Sequence, residues 1–295
     1  MVRSVRVRGL WQLAAAAVCV LGALFLVAAL SPQRTAGPCS VIAGPAVMRD
    51  VPEASGLAVS RRRAGLIWTH NDSGNDPDLF ALDESGAIQG RVRLPIRVRD
   101  WEDVSTAPCP EGQCLYVADI GDNSLARRSV VVYRVAEPDP DATRTERPDM
   151  FTVTYPDGPH NAEALFVIGD YIFIVTRDRT GAVYRSSSPL TGATTVKLEH
   201  VVNLGLVGVT DAEASADERQ VAIRTSDDVM VYHTADLVRS TAAPKGTRIP
   251  LEGLREPQGE AVALGKNGML YLASEGRPWN RAGRFLALRC ATRLP

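Results

Sequence analysis

The chain has 295 residues, with 33 basic and 34 acidic side chains and a formal charge of -1. That balance excludes a bulk electrostatic partner such as nucleic acid, which calls for a basic face. With 45% hydrophobic residues, the composition is that of a globular protein with material for a full core.

The N-terminus reads as a targeting segment. Arg3, Arg6 and Arg8 precede an uncharged run from Leu10 to Leu30. Positive charge ahead of an apolar stretch is what export machinery recognises. The run is also long enough to span a bilayer. Residues 1–38 are therefore expected to be a signal peptide, cleaved after Val27-Ala28-Ala29, or a membrane anchor with a short linker. Positive flanks stay on the cytoplasmic side. Residues 39–295 are thus expected outside the cytoplasm: secreted, periplasmic or anchored facing outward, with the membrane touched only through the N-terminal segment.

Four cysteines remain beyond Cys19: Cys39, Cys109, Cys114 and Cys290. An even number suits disulfides in an oxidising compartment. Cys109 and Cys114 flank the turn Pro110-Glu111-Gly112-Gln113, which predicts a hairpin bridge and leaves Cys39 for Cys290. The rival reading is zinc, but no histidine lies close in sequence.

The body repeats with a period of about fifty residues, the mark of a circular or stacked array. The segments Glu102-Asp103-Val104-Ser105, Glu163-Ala164-Leu165-Phe166, Asp211-Ala212-Glu213-Ala214 and Glu260-Ala261-Val262-Ala263 each precede an apolar strand. A degenerate copy, Ser55-Gly56-Leu57-Ala58, stands first. Each repeat reads as four short strands, A to D, separated by Gly, Asp, Asn and Pro. The fold class expected is all-β: a β-propeller of five four-stranded blades, with six as the runner-up. The polar stretch Glu137 to Asp149 is read as a long C-to-D loop. The fifth repeat lacks strand D, and Val41 to Val47 is expected to supply it and close the ring. A Cys39–Cys290 bridge would fall at that joint.

Strand A lines the channel of a propeller, and its leading residues ring one mouth. Glu102, Glu163, Asp211 and Glu260 are expected there, with Gly56 leaving one position open for a ligand. The B-to-C loops should crowd the same mouth. They carry His70, Asp72, Asn75, Asp76 and Asp78, then Asp119, Asp122 and Asn123, then Arg177, Arg224 and Glu275-Gly276-Arg277. Clustered carboxylates repel and need raised pKa values, arginines or a cation. Oxygen donors alone favour Ca²⁺ or Mg²⁺. The expected metal ligands are Glu102, Glu163, Asp211, Glu260, Asp72, Asp119 and Asp122. The expected contacts to a small anionic ligand are Arg177, Arg224, His70, Asn123 and Glu275. Asp, Asn and Gly are equally what tight turns require, and the two arginines equally suit internal ion pairs. His70 and His160 are candidate general bases; His200 and His233 read as structural. No Gly-x-Ser-x-Gly elbow, phosphate loop or His-Glu-x-x-His motif occurs.

The motifs Asp100-Trp101-Glu102-Asp103, Asp119-Ile120-Gly121-Asp122-Asn123, Tyr155-Pro156-Asp157-Gly158 and Gln258-Gly259-Glu260-Ala261, with Ser274-Glu275-Gly276, resemble those of uncharacterised exported bacterial β-propeller proteins. More distantly, the layout is similar to phytase-like and gluconolactonase-like propellers. That resemblance implies a calcium-dependent hydrolase of an ester, phosphoester or lactone, with Glu102, Glu163, Asp211 and Glu260 at the ligand-bearing strand positions. The rival function is a non-catalytic module that binds an envelope protein.

Overall fold

The structure is a computed structural model, described for residues 35–190, 194–276 and 282–290. The expected export segment and Arg277 lie outside the described residues. No helix among the described residues is long and apolar enough to cross a membrane.

Two N-terminal strands, β1 (Thr35–Ala36) and β2 (Cys39–Met48), come first. Then follow β3 (Ala54–Val59), β4 (Leu66–Asn71), β5 (Asp78–Asp83) and β6 (Ile88–Arg93), a four-stranded antiparallel meander. The next meander is β7 (Asp103–Cys109), β8 (Gly112–Asp119), β9 (Val130–Ala136) and β10 (Asp149–Thr154). The third is β11 (Ala162–Ile168), β12 (Tyr171–Thr176), β13 (Ala182–Ser186) and β14 (Thr195–Asn203). The fourth is β15 (Val209–Ala214), β16 (Gln220–Thr225), β17 (Asp228–His233) and β18 (Thr247–Pro250). A short helix not foreseen in the sequence, α1 (Thr234–Arg239), joins β17 to β18. Finally β19 (Gln258–Leu264), β20 (Met269–Glu275) and β21 (Gly283–Cys290) form a sheet whose next strand is β2.

Burial explains the order within each sheet. The first strand of each meander is buried along nearly its whole length, as in β11 and β15. The last strand alternates: Val196 and Leu198 of β14 point inward while Lys197 and Glu199 face solvent. A strand enclosed on both faces reads as a continuous apolar or small-residue run, and a half-covered strand alternates.

The core lies between sheets. Trp68 and Leu79 pack with Val117 and Tyr133, joining the first meander to the second. Tyr116 and Val132 meet Leu165 and Ile174; Phe166 and Phe173 meet Val221 and Tyr232. Val229 and Val231 meet Val262 and Leu272, and Tyr271 and Phe285 return to Leu57 and Ile67. Four-stranded meanders packed face to face around their innermost strands define a β-propeller.

β2 runs antiparallel to β21, with Cys39 opposite Cys290, and those two residues are disulfide-bonded across 251 positions of sequence. Cys109 and Cys114 form the second disulfide, so the zinc reading fails for want of free thiolates. Residues 137–148 are a loop, as expected, and it has a structural role. Thr143 O accepts the N–H of Arg93 at 3.1 Å, and Thr145 donates its N–H to Arg93 O at 3.0 Å, so the loop covers the outer edge of β6. The parallel pairing of β10 with β14, which joins two meanders at their outer edges, was not foreseen.

Candidate functional site

In the first three meanders the loop after the second strand is tied to the connection entering that meander, and the loop after β20 is tied to the connection entering the first. Asp72 donates its N–H to Glu53 O, Gly121 to Asp100 O, Arg177 to Asn161 O and Gly276 to Pro52 O, all at 2.8–3.0 Å. This lacing gathers the predicted acidic residues at one mouth.

Asp72, Asp100 and Glu102 present carboxylate oxygens that all lie within 4.8 Å of one another. Asp100 and Glu102 press against the Cα of Gly121, where a Cβ would collide with both carboxylates. Glu102 is buried, and its carboxyl is pushed up to about 10, first by desolvation and then by Asp72, Asp100 and Glu260, with Arg177 opposing. Burial and the same neighbours push Asp72 up to about 6. Glu275 is pushed to about 7 by burial, Glu260, Asp72 and Glu53, and burial raises Glu260. These groups share one electrostatic environment, in which crowded carboxyls outnumber cations and hold one another's protons. The nearby cation, Arg177, is ion-paired with Glu163.

Among the predicted ligands, the structure brings together Asp72, Glu102, Glu260 and Glu275, with Glu163 and Arg177 beside them. It places others elsewhere. Asp211 lies one position deeper than its expected equivalents. Bulges in β3, β11, β15 and β19 fall at Gly56, Glu163, Thr210 and Glu260, which makes Thr210, not Asp211, the counterpart of Glu163. Asp211 instead shares the channel interior with Asp103. Both are fully buried. Asp211 Oδ2 accepts the N–H groups of Leu57 at 3.3 Å and Val262 at 2.5 Å, and Asp103 Oδ2 accepts that of Leu165 at 2.6 Å. Desolvation, and then the adjacent Asp211 carboxylate, push the Asp103 carboxyl well above the usual carboxylate range. Gly56 does not leave the ring open. With φ +54°, its Cα faces Asp103 Oδ1 and Val104 N at 2.8 and 2.7 Å from a would-be Cβ.

Asp119 and Asp122 are structural acids, not mouth ligands. Asp119 accepts the N–H groups of Arg99 and Asp100 at 3.0 Å and pairs with Arg127 at 2.9 Å. Asp122 caps its loop by accepting the N–H groups of Ala126 and Arg127. Asp76 and Asp78 are neutralised by Arg91 and Arg93. Arg224 is likewise removed from ligand duty. It is fully buried, donates to Ala261 O at 2.7 Å and Ala273 O at 3.3 Å, and pairs with Glu256 at 2.6 Å. Gly259 leaves the space its guanidinium needs. His70 is a core residue. It lies against Trp101 at 4.1 Å, its Nδ1 faces Asn71 O at 2.9 Å, and burial lowers its pKa to about 4. Asn123 accepts from Asn161 at the loop edge. His160 belongs to a separate group, 3.0 Å from both Asp157 and the Tyr184 hydroxyl.

Asp100 is the mouth acid the sequence reading missed. It stands two residues before Glu102, at the bend that precedes β7, where Asp119 holds its backbone N–H at 3.0 Å.

No protein-family model and no curated protein matches this chain. Among solved structures, it is similar to a gluconolactonase from Xanthomonas campestris, at 10% identity and TM-score 0.45 over 85% of this chain and 89% of that one. It is similar also to a PQQ-bound aldose sugar dehydrogenase from Streptomyces coelicolor, at 12% identity and TM-score 0.49 over 85% and 97%. A luciferin-regenerating enzyme matches at 10% identity and TM-score 0.43 over 83% and 95%.

Proposed function

We propose that the chain is a five-bladed propeller, closed by β2, that works outside the cytoplasm and binds a divalent cation at its acidic mouth. The observation that carries this reading is the triad Asp72, Asp100 and Glu102. Their oxygens converge within 4.8 Å, and the adjacent guanidinium of Arg177 is committed to Glu163. Three convergent carboxylates without a counter-charge are costly, and a hard divalent cation with oxygen ligands removes that cost. Glu260 and Glu275 belong to the same electrostatic environment and add further carboxyl groups around the triad. Ca²⁺ fits this donor set better than zinc, since no histidine or thiolate takes part.

Bound there, such an ion would polarise an ester, phosphoester or lactone and lower the pKa of a bound water. Around it, the raised pKa of Glu275 suits a group that exchanges a proton near neutral pH. Arg177, partly exposed beside the triad and paired with Glu163, has further N–H donors with which it would orient an anionic substituent. The two disulfides suit an oxidising compartment, and residues 1–38 would direct export.

The test is a calcium titration followed by melting temperature, then a panel of lactones and phosphoesters. Wild type should gain stability with millimolar Ca²⁺, and Glu102→Gln should abolish both that gain and any turnover. No thermal shift in wild type defeats the cation site. Turnover untouched by Glu102→Gln and Glu163→Gln removes the mouth from the chemistry.

A further inference from the structure

The opposite end of the propeller carries a recess of contrary charge. It is formed by the turns that follow the innermost strands. Two contiguous cavities, of about 630 and 700 Å³, share Arg61, Lys266 and Asn267 in their walls. The smaller is reached by turns from four sheets, at the foot of the channel: Ser60 and Arg61, Pro108 and Gln113, Ala216 and Asp217, and Gly265 to Gly268. Volumes of this size are typical of small-molecule sites.

The walls carry Arg61, Arg62, Lys266 and Arg289 with two acids, Glu84 and Asp217. Arg61 is paired with Glu218 at 3.5 Å and Arg62 with Asp139 at 3.4 Å, so the charge left over is that of Lys266 and Arg289. Glu84 is further engaged by the Tyr271 hydroxyl. Arg61 is fixed at the shared wall, with a side chain only 7% exposed. Its guanidinium donates to Ala216 O at 3.2 Å, Ser215 O at 3.4 Å and Glu218 Oε1 at 3.5 Å, while its Nε–H is buried without a partner. Gln113 Oε1, on the other side of the smaller cavity, is also buried without a partner. Lys266 and Arg289 are exposed and make no ion pair among the described residues. Lys266 opens a turn in which Asn267 (φ +57°) and Gly268 (φ +74°) are both left-handed.

We propose that this recess is a second binding site, separate from the mouth, for a small oxyanionic molecule bearing carboxylate or phosphate groups. Lys266 and Arg289 supply the unpaired charge, and Arg61 forms the rigid wall. The chemistry is shared by carboxylates and phosphates, so both are probed.

Titration calorimetry on EDTA-treated, dialysed protein with inorganic phosphate and with citrate tests the proposal. Saturable binding of at least one anion is expected. Lys266→Gln and Arg289→Gln should each weaken it about tenfold or more, the usual effect of losing a hydrogen bond to a charged group. Both residues are exposed, so the variants should fold. Arg177→Gln, at the mouth, should leave this binding unchanged. The proposal is overturned if neither anion binds saturably, if the Lys266→Gln/Arg289→Gln double variant binds as wild type does, or if Arg177→Gln abolishes binding. Calcium dependence at the mouth is read separately, so either site stands or falls alone.

Discussion

The Asp119 side chain accepts the backbone N–H of Asp100 at 3.0 Å. One acid, itself neutralised by Arg127, thereby fixes the backbone from which another acid projects into the mouth. The division of labour recurs across the site: some carboxylates are spent on hydrogen bonds and ion pairs, and others are left facing one another. Only the second group has an electrostatic reason to take up a cation.

Gly121 is where this arrangement is most easily broken. A methyl group there would collide with the carboxylates of both Glu102 and Asp100. Gly121→Ala should therefore separate the triad and abolish the calcium-dependent rise in melting temperature. The global fold should survive, because the displaced groups are side-chain ends. Circular dichroism reports the fold, and calorimetry with Ca²⁺ reports the site. Undiminished calcium binding in this variant would show that the triad does not hold the ion.

The mouth also fixes the sign of a pH effect. Asp72, Glu275 and Glu102 titrate at about 6, 7 and 10 in the folded protein, above their values in an unfolded chain. The folded state then binds more protons than the unfolded one, so stability falls as pH rises. The contribution is fully present below the unfolded values of about 4. It is lost progressively through pH 6 and 7 as Asp72 and Glu275 ionise, and further toward pH 10 with Glu102. A cation relieves the repulsion and must displace protons to bind. Calcium should therefore raise the melting temperature more at pH 8 than at pH 5. Equal shifts at both pH values would mean that these carboxyls are not the ligands. Glu102→Gln should stabilise the calcium-free protein at pH 8, because the wild-type carboxyl must take up a proton to be buried there and an amide needs none.

The propeller was legible because its signals are local and repeated: an apolar strand at a fixed interval, turns between, and a missing fourth strand with a cysteine at each end. The site was legible only in part. Glu102, Glu260, Asp72 and Glu275 come together as their loop positions imply. Asp211 was misaligned because a one-residue bulge is invisible in a short motif, and such a slip turns a side chain to a different level. Asp119, Asp122 and Arg224 looked like site residues because the same groups that bind ions also cap turns and satisfy carbonyls. Which use is made depends on partners distant in sequence: Arg127 for Asp119, Glu256 and Ala261 for Arg224. No local pattern reveals them.

The two disulfides should differ sharply in their effect on stability. Cys39 and Cys290 are 251 residues apart, whereas Cys109 and Cys114 are five apart. In the chain-entropy model, the first restricts the unfolded state by about 5 kcal/mol and the second by about 2 kcal/mol. Cys39→Ser/Cys290→Ser should thus lower the urea midpoint far more than Cys109→Ser/Cys114→Ser. The first pair also holds β2 against β21, so its loss should increase proteolysis near Cys39. Similar midpoints for the two variants would mean that β2 stays docked without its crosslink.

Arg224 gives the clearest separation between a binding role and a structural one. Its guanidinium bridges β16 to β19 and β20 through Ala261 O and Ala273 O, and its charge compensates buried Glu256. Arg224→Met removes the bridge and leaves a buried carboxylate unpaired, which should cost about 3–5 kcal/mol. Arg224→Lys should recover little, because one ammonium cannot reach two carbonyls and a carboxylate in the geometry of the planar fork. Adding Glu256→Gln to Arg224→Met removes the stranded charge and should restore part of the loss, giving a favourable coupling in a double-mutant cycle. Urea denaturation of the four proteins measures that coupling. A ligand-binding arginine would behave oppositely: Arg224→Met would leave stability intact and weaken anion binding at the mouth, and no coupling to Glu256 would appear.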